Sequence, residues 1–255
     1  MDYLVCNIPD RLIALTNKKP KMTNSHTPYS GRMKAADLIA ADRHLLSIFE
    51  RFNIKLGFGE ATVAELCERY SLSSELFLII CSICSFGNYR PKADALKKED
   101  LHHIISYLRA SHRYYIGNCF PALHNDIHTM MDEYDETSRN LLNRFYDDYD
   151  SEIKKHFLYE EESVFPYVEG LLTGSPIGNT LCCISKFEEN HTNVGEKLND
   201  LKNIIIKYLP DNHTSNIKIT VLNKIFSIEE DLKKHAMVEN KLLIPLVAKI
   251  EKNNG

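Results

Sequence analysis

Laid over itself at an offset of 79 residues, the C-terminal part of this sequence brings His112 onto His191, His156 onto His235, Glu160 onto Glu239 and Pro166 onto Pro245. The rest of the two halves is only weakly alike. Within the repeat, His156-Phe-Leu-Tyr-Glu160 and His235-Ala-Met-Val-Glu239 share the form His-x-x-x-Glu. Residues four apart lie on one face of an α-helix, one turn from each other, so each segment directs an imidazole and a carboxylate at the same point. Each reads as half of a metal site, which demands a fold that brings several helices together at one level.

Helical periodicity supplies such a fold. Apolar residues recur at helical spacing over about 99–132, 137–170, 177–209 and 214–252, and β-branched alternating runs are few. This predicts an all-α chain with an up-down-up-down four-helix bundle over residues 99–252. The breaks Asp132-Glu-Tyr-Asp-Glu-Thr137, Thr173-Gly-Ser-Pro176 and Pro210-Asp-Asn212 have the composition of short turns joining antiparallel neighbours. Two residues on such neighbours are level only when the turn lies midway between them. The midpoint from His112 to the centre of His156 and Glu160 is 135, from that centre to His191 near 174 or 175, and from His191 to the last pair 214. All three fall in or beside the turns. Six residues, His112, His156, Glu160, His191, His235 and Glu239, are therefore expected at one height, about 20 residues or roughly 30 Å of helix from each turn.

Upstream, residues 1–33 read as a loose leader, with Pro9, Pro20, Pro28 and Gly31. Residues 34–90 read as a small three-helix domain: one helix from Ala35 to Phe52, a break at Gly57 and Gly59, a second helix capped by Thr62 and running to Tyr70, and a third ending near Phe86. Residues 87–98, with Pro91 and several lysines, read as the linker to the bundle.

Composition removes several function classes. The net charge is −4, without a basic stripe, so no nucleic-acid partner is expected. No run of eighteen uncharged apolar residues occurs and the opening residues lack a signal-peptide pattern, so neither a membrane span nor export is expected. Seven irregularly spaced cysteines do not form a secreted disulfide framework and fit a cytoplasmic location.

Four neutral imidazoles with two carboxylates suit iron, manganese or zinc. Two carboxylates suffice to bridge two ions, whose charge offsets that of the buried acids, so two metals fit better than one and iron is the first choice. The His-x-x-x-Glu spacing differs from the Glu-x-x-His of ferritin-like bundles and points to another di-iron family.

At these residues the chain resembles the hemerythrin-like proteins, and within them the di-iron RIC family, for repair of iron centres. The resemblance is carried by 156–166 (HFLYEEESVFP), 188–198 (EENHTNVGEKL), 235–245 (HAMVENKLLIP) and His112 after Tyr107-Leu-Arg-Ala-Ser. It implies two non-haem iron ions bridged by Glu160 and Glu239, with two histidines on each. It also implies a role in repairing iron–sulfur clusters damaged by nitrosative or oxidative stress, with oxygen or nitric oxide and damaged iron–sulfur proteins as partners, and leaves a homodimer open. Binding, storage or sensing of dioxygen or nitric oxide without catalysis is the alternative, and a purely structural zinc site a third. Whether the chain turns over a substrate is left open. The small domain is similar to that family's N-terminal domain in 48–54 (IFERFNI), Gly59 and 64–67 (AELC), but where the family has adjacent cysteines followed by two glycines this chain has Leu56-Gly57-Phe58-Gly59.

Other polar residues read more plainly. Cys81 and Cys84, among Leu78, Ile79, Ile80 and Ile83, are expected in the core. His124 and His128, four apart but several turns from the metal level, are expected to be solvated, as are His102, His103 and His213. Glu152, one turn before His156, is a candidate acceptor for a ligand N–H. Tyr114, Tyr115, Tyr159 and Tyr167 are candidates to flank the site, and Cys182 and Cys183 have no assignment.

Overall fold

The computed structural model describes residues 28–92, 95–174, 184, 187, 195–210 and 215–254. Among these the chain is helical, with one isolated antiparallel bridge between Lys34 and Thr62.

The small unit comprises α1 (Ala35–Ala41), α2 (Leu46–Arg51), α3 (Val63–Arg69) and α4 (Ser74–Ser85). The single helix expected over 35–52 is thus two. Asp42 adopts extended backbone (φ −148°, ψ 103°) and its carboxylate accepts the His44 N–H at 3.0 Å, opening the 3-10 turn Arg43–Leu45. A short acid that caps a new turn competes with continuation of the old one, and apolar periodicity does not register it. Thr62 caps α3 in a reciprocal capping box with Glu65. The end of the supposed leader is ordered onto this unit: the Val63 N–H donates to the Met33 carbonyl at 2.9 Å and the Tyr29 and Phe86 rings lie 5.5 Å apart. Residues 1–27 lie outside the described part.

Three long rods follow the expected boundaries closely. In α5 the helix Asp100–Tyr114 passes through a π-helical turn, Tyr115–Cys119, into Phe120–Met131. In α6, Glu136–Tyr159 passes through Glu160–Val164 into Phe165–Thr173, ending at left-handed Gly174 (φ 68°). The next described helix, α7, is Gly195–Lys207. In α8, Ser215–Val238 passes through Glu239–Leu243 into Ile244–Asn254.

The three π turns share one cause. The second residue after each is a proline, Pro121, Pro166 or Pro245, which lacks an N–H and crowds the carbonyl four residues earlier. Widening the turn relieves that crowding, and the N–H groups of Phe120, Phe165 and Ile244 donate five residues back, to Tyr115, Glu160 and Glu239. The fourth equivalent position supports this account: Asp200 stands where the repeat offset places a proline, and Gly195–Lys207 is plain α-helix. The 79-residue repeat therefore extends to the backbone, since Glu160–Val164 and Glu239–Leu243 superpose under it.

Apolar packing forms two clusters. One joins the small unit, through Ile48, Phe49, Phe77 and Ile80, to Leu101–Leu108, Val164, Val238 and Val247 of the bundle, so the two share a core. The other fills the far end of the bundle around Tyr115, Phe120, Ile127, Phe157, Leu201 and Ile225. Arg51 of α2 crosses between the units: its guanidinium, with 4% of the side chain exposed, pairs with Asp231 of α8 and donates to the hydroxyls of Tyr107 (3.2 Å) and Tyr115 (3.3 Å).

Cys67, Cys81 and Cys84 are buried, unpaired thiols in the small unit. Burial pushes Cys67 and Cys84 up to about 12, and Cys81 rises for the same reason. Because the folded state holds these groups protonated, the stability they contribute is full below the unfolded thiol value of about 8.5 and is lost as pH rises toward about 12. Iodoacetamide at pH 8 is accordingly expected to label these three only after denaturation. Labelling of any of them in native protein at the unfolded rate, followed by peptide mass spectrometry, contradicts this.

Candidate metal centre

Between the two apolar clusters lies a polar one. His112 from α5, Glu160 from α6, and His235 and Glu239 from α8 bring their ligand atoms within 4.8 Å of one another, with all four side chains buried. The two glutamates are fully shielded and the two histidines at most 3% exposed. Helical spacing sets the pairs: His156 Nε2 lies 2.9 Å from Glu160 Oε1, and His235 Nε2 lies 3.1 Å from Glu239 Oε1, both across one turn. Helix packing sets the rest. His112 Nε2 reaches Glu160 Oε2 at 3.0 Å and His235 Nε2 at 3.3 Å. Five of the six expected residues are thus gathered at one level; His191 lies outside the described residues.

The donor set fits a cation. Donors cis to one another at about 2.1 Å from a transition-metal ion lie about 3.0 Å apart, which is the spacing found here. His112 Nδ1 lies 2.8 Å from Glu161 Oε1, so its N–H is directed outward and the Nε2 lone pair inward. Two carboxylates without solvent access need positive charge beside them, and a metal ion supplies it.

Around this set the structure builds support. Glu161 accepts from His112 and, through Oε2, from Arg109 Nε at 3.0 Å, while Arg109 is held in turn by Glu169. Burial acts to lower the His112 pKa, but Glu160 and Glu161 outweigh it and the net shift is upward. Burial acts to raise Glu161, and His112 and Arg109 outweigh it, so it stays an anion. The His112 ring stacks on Phe157 at 4.2 Å and on Phe165 at 5.6 Å, which fixes its plane. Tyr115 lies edge-on to His235 at 5.8 Å.

The candidate acceptor Glu152 is not in this shell; it is half exposed and pairs with Lys197 of α7. Its place is taken by Glu161. The run Glu160-Glu161-Glu162 signals acidic chemistry there, but which member meets a histidine depends on how α5 crosses α6. Tyr115 touches the site, whereas Tyr114 and Tyr159 are partly exposed and Tyr167 bonds Glu251. His124 and His128 are on the surface, and His213, Cys182 and Cys183 lie outside the described residues. Among the described residues no helix is long and apolar enough to cross a membrane.

Removing the Glu161 carboxylate takes away the acceptor that sets the His112 tautomer. Glu161→Ala is expected to weaken metal binding by roughly 10–100-fold, with Glu161→Gln milder because its amide oxygen still accepts. Competition with a ferrous chelator measures this, and equal retention by Glu161→Ala and the parent refutes the assignment.

This arrangement has a counterpart among known proteins. The family model described as Hemerythrin HHE cation binding domain matches residues 103–247, more than half of the chain and all six expected ligands. The chain belongs to this family. Membership makes the hemerythrin bundle a cation-binding, iron-type domain, and the buried His–Glu cluster lies within the matched residues. The chain is also similar to the iron-sulfur cluster repair protein ScdA of Staphylococcus haemolyticus, 24% identical over 102 residues. That match covers 40% of this hemerythrin-like chain and 46% of the relative, less than half of its length.

Proposed function

We propose that this hemerythrin-like chain holds two non-haem iron ions and serves the repair of iron–sulfur clusters damaged by nitric oxide or oxidants. The observation that carries the metal reading is the convergence of His112, Glu160, His235 and Glu239 in a buried cluster, with His156 joined to Glu160. In this reading His112, His156, Glu160, His191, His235 and Glu239 would hold the ions. The repair role is supported by the likeness to ScdA. Iron at such a centre supplies exchangeable coordination positions and electrons. The chain's own part is to exclude water with Phe157, Phe165 and Tyr115 and to set the tautomer of His112 through Glu161.

Adding the iron-loaded protein to a nitric-oxide-damaged cluster enzyme tests this, with recovery of the enzyme as the readout. Recovery beyond an equal amount of free ferrous iron is expected; recovery equal to it rejects the role.

A second reading, reversible binding or sensing of dioxygen or nitric oxide, is favoured by one observation. The turn at which the family has adjacent cysteines followed by two glycines is here Leu56-Gly57-Phe58-Gly59, with Gly57 and Gly59 at φ 92° and 60°, Leu56 exposed and Phe58 stacked on Phe49, so it carries no thiol. The cysteines of that unit among the described residues are buried. Stopped-flow spectra with oxygen and nitric oxide distinguish this reading by reversible adducts without turnover.

A further inference from the structure

Outside the buried centre, a second pair of imidazoles converges on the bundle surface. His124 and His128, four apart on the Phe120–Met131 stretch of α5, direct their Nε2 atoms at one another at 3.1 Å, with the rings edge-to-face at 4.3 Å. This is again the spacing of two donors cis on one ion, close to the 3.3 Å between His112 and His235 in the interior. Asp147, from the facing turn of α6, places Oδ1 3.9 Å from His124 Nε2.

The pair is not left to swing in water. His124 lies stacked on Tyr146 at 5.2 Å with 29° between the rings, and the Tyr146 hydroxyl donates to the Phe120 carbonyl at 2.6 Å. One ring is thereby fixed by a buried, anchored tyrosine, and the other is delivered by the helical repeat. The twelve residues between His112 and His124 correspond to about 18 Å of helix, so the two clusters are separate.

We propose that His124, His128 and Asp147 form a peripheral, exchangeable site for a nitrogen-preferring divalent transition-metal ion of the zinc, nickel or copper class, with water completing its coordination. Two imidazoles and a carboxylate suit those ions and not calcium or magnesium, which take oxygen donors. The site is open to solvent, with His124 38% and Asp147 69% exposed, so its ion exchanges without opening the fold. It does not depend on how the interior iron is used.

The test is a calorimetric titration of the iron-loaded protein with zinc chloride, with iron measured in the ultrafiltrate to register any displacement. The parent is expected to take up one zinc ion per chain that His124→Ala and His128→Ala bind more weakly by at least the roughly 10–100-fold that loss of an outer partner costs a metal site. Asp147→Asn is expected to weaken it less, and all three variants to keep the parent's iron content and helicity. Zinc uptake of equal stoichiometry and affinity in the parent and both histidine variants overturns the proposal, as does uptake accompanied by an equal release of iron.

Discussion

Glu239→Ala protein is expected to retain at most half of the iron that the parent carries. The carboxylate it loses is fully buried, 3.1 Å from His235 Nε2 and in the same cluster as Glu160 and His112. No solvent can replace it as a counter-charge, and the histidines it faces lose the anion that holds a cation between them. Glu239→Gln keeps the shape and removes the charge, so it should lose iron while remaining folded, which separates metal loss from collapse of the core. Because bound metal stabilises by mass action, worth about 2.7 kcal/mol at a hundredfold excess over Kd, the parent should melt at a higher temperature with iron than without, and Glu239→Gln should show little difference. Iron determined colorimetrically at parental levels in both variants would remove Glu239 from the ligand set.

The largest effect on stability is expected at Arg51. Its guanidinium is nearly sealed from water between the small unit and the bundle, where Asp231, Tyr107 and Tyr115 accept from its two terminal nitrogens. Removing one partner of such a pair strands the others, and Arg51→Ala is expected to cost about 3–5 kcal/mol in urea unfolding. Replacing both charges, Arg51→Met with Asp231→Leu, should recover part of that loss, since the desolvation of the ion pair is avoided while the buried Tyr107 and Tyr115 hydroxyls still lose their partner. A change under about 1 kcal/mol for Arg51→Ala, at the scale of an exposed pair, would show that the junction is not built on this residue. Since Tyr115 also lies against His235, Arg51→Ala protein is the natural sample for asking whether the small unit helps to seal the metal centre.

Much of the site is legible in the order of residues alone. The offset of 79 residues and the four-residue spacing of His156 with Glu160 and His235 with Glu239 depend only on helix geometry, and helix geometry is local. The turn midpoints then put His112 at the same height, where it is found within 3.0 Å of Glu160. The three proline-induced π turns are half visible: Pro166 and Pro245 belong to the repeat, while Pro121 carries the same meaning without its alignment partner. The break at Asp42 is hidden because apolar spacing continues through it from Leu38 to Ile48, and only the capping contact to His44 ends α1.

Sequence alone determined the three long rods, the first turn between them and the His–Glu spacing that groups possible metal ligands, because periodicity, turn chemistry and charge are properties of neighbours along the chain. Tertiary structure decided the rest. It chose Glu161 over Glu152 to orient His112, joined the small unit to one end of the bundle in a shared apolar cluster, and set Arg51 across their junction. Those outcomes depend on which faces of separate helices meet, a long-range choice made by packing to which no local pattern is sensitive.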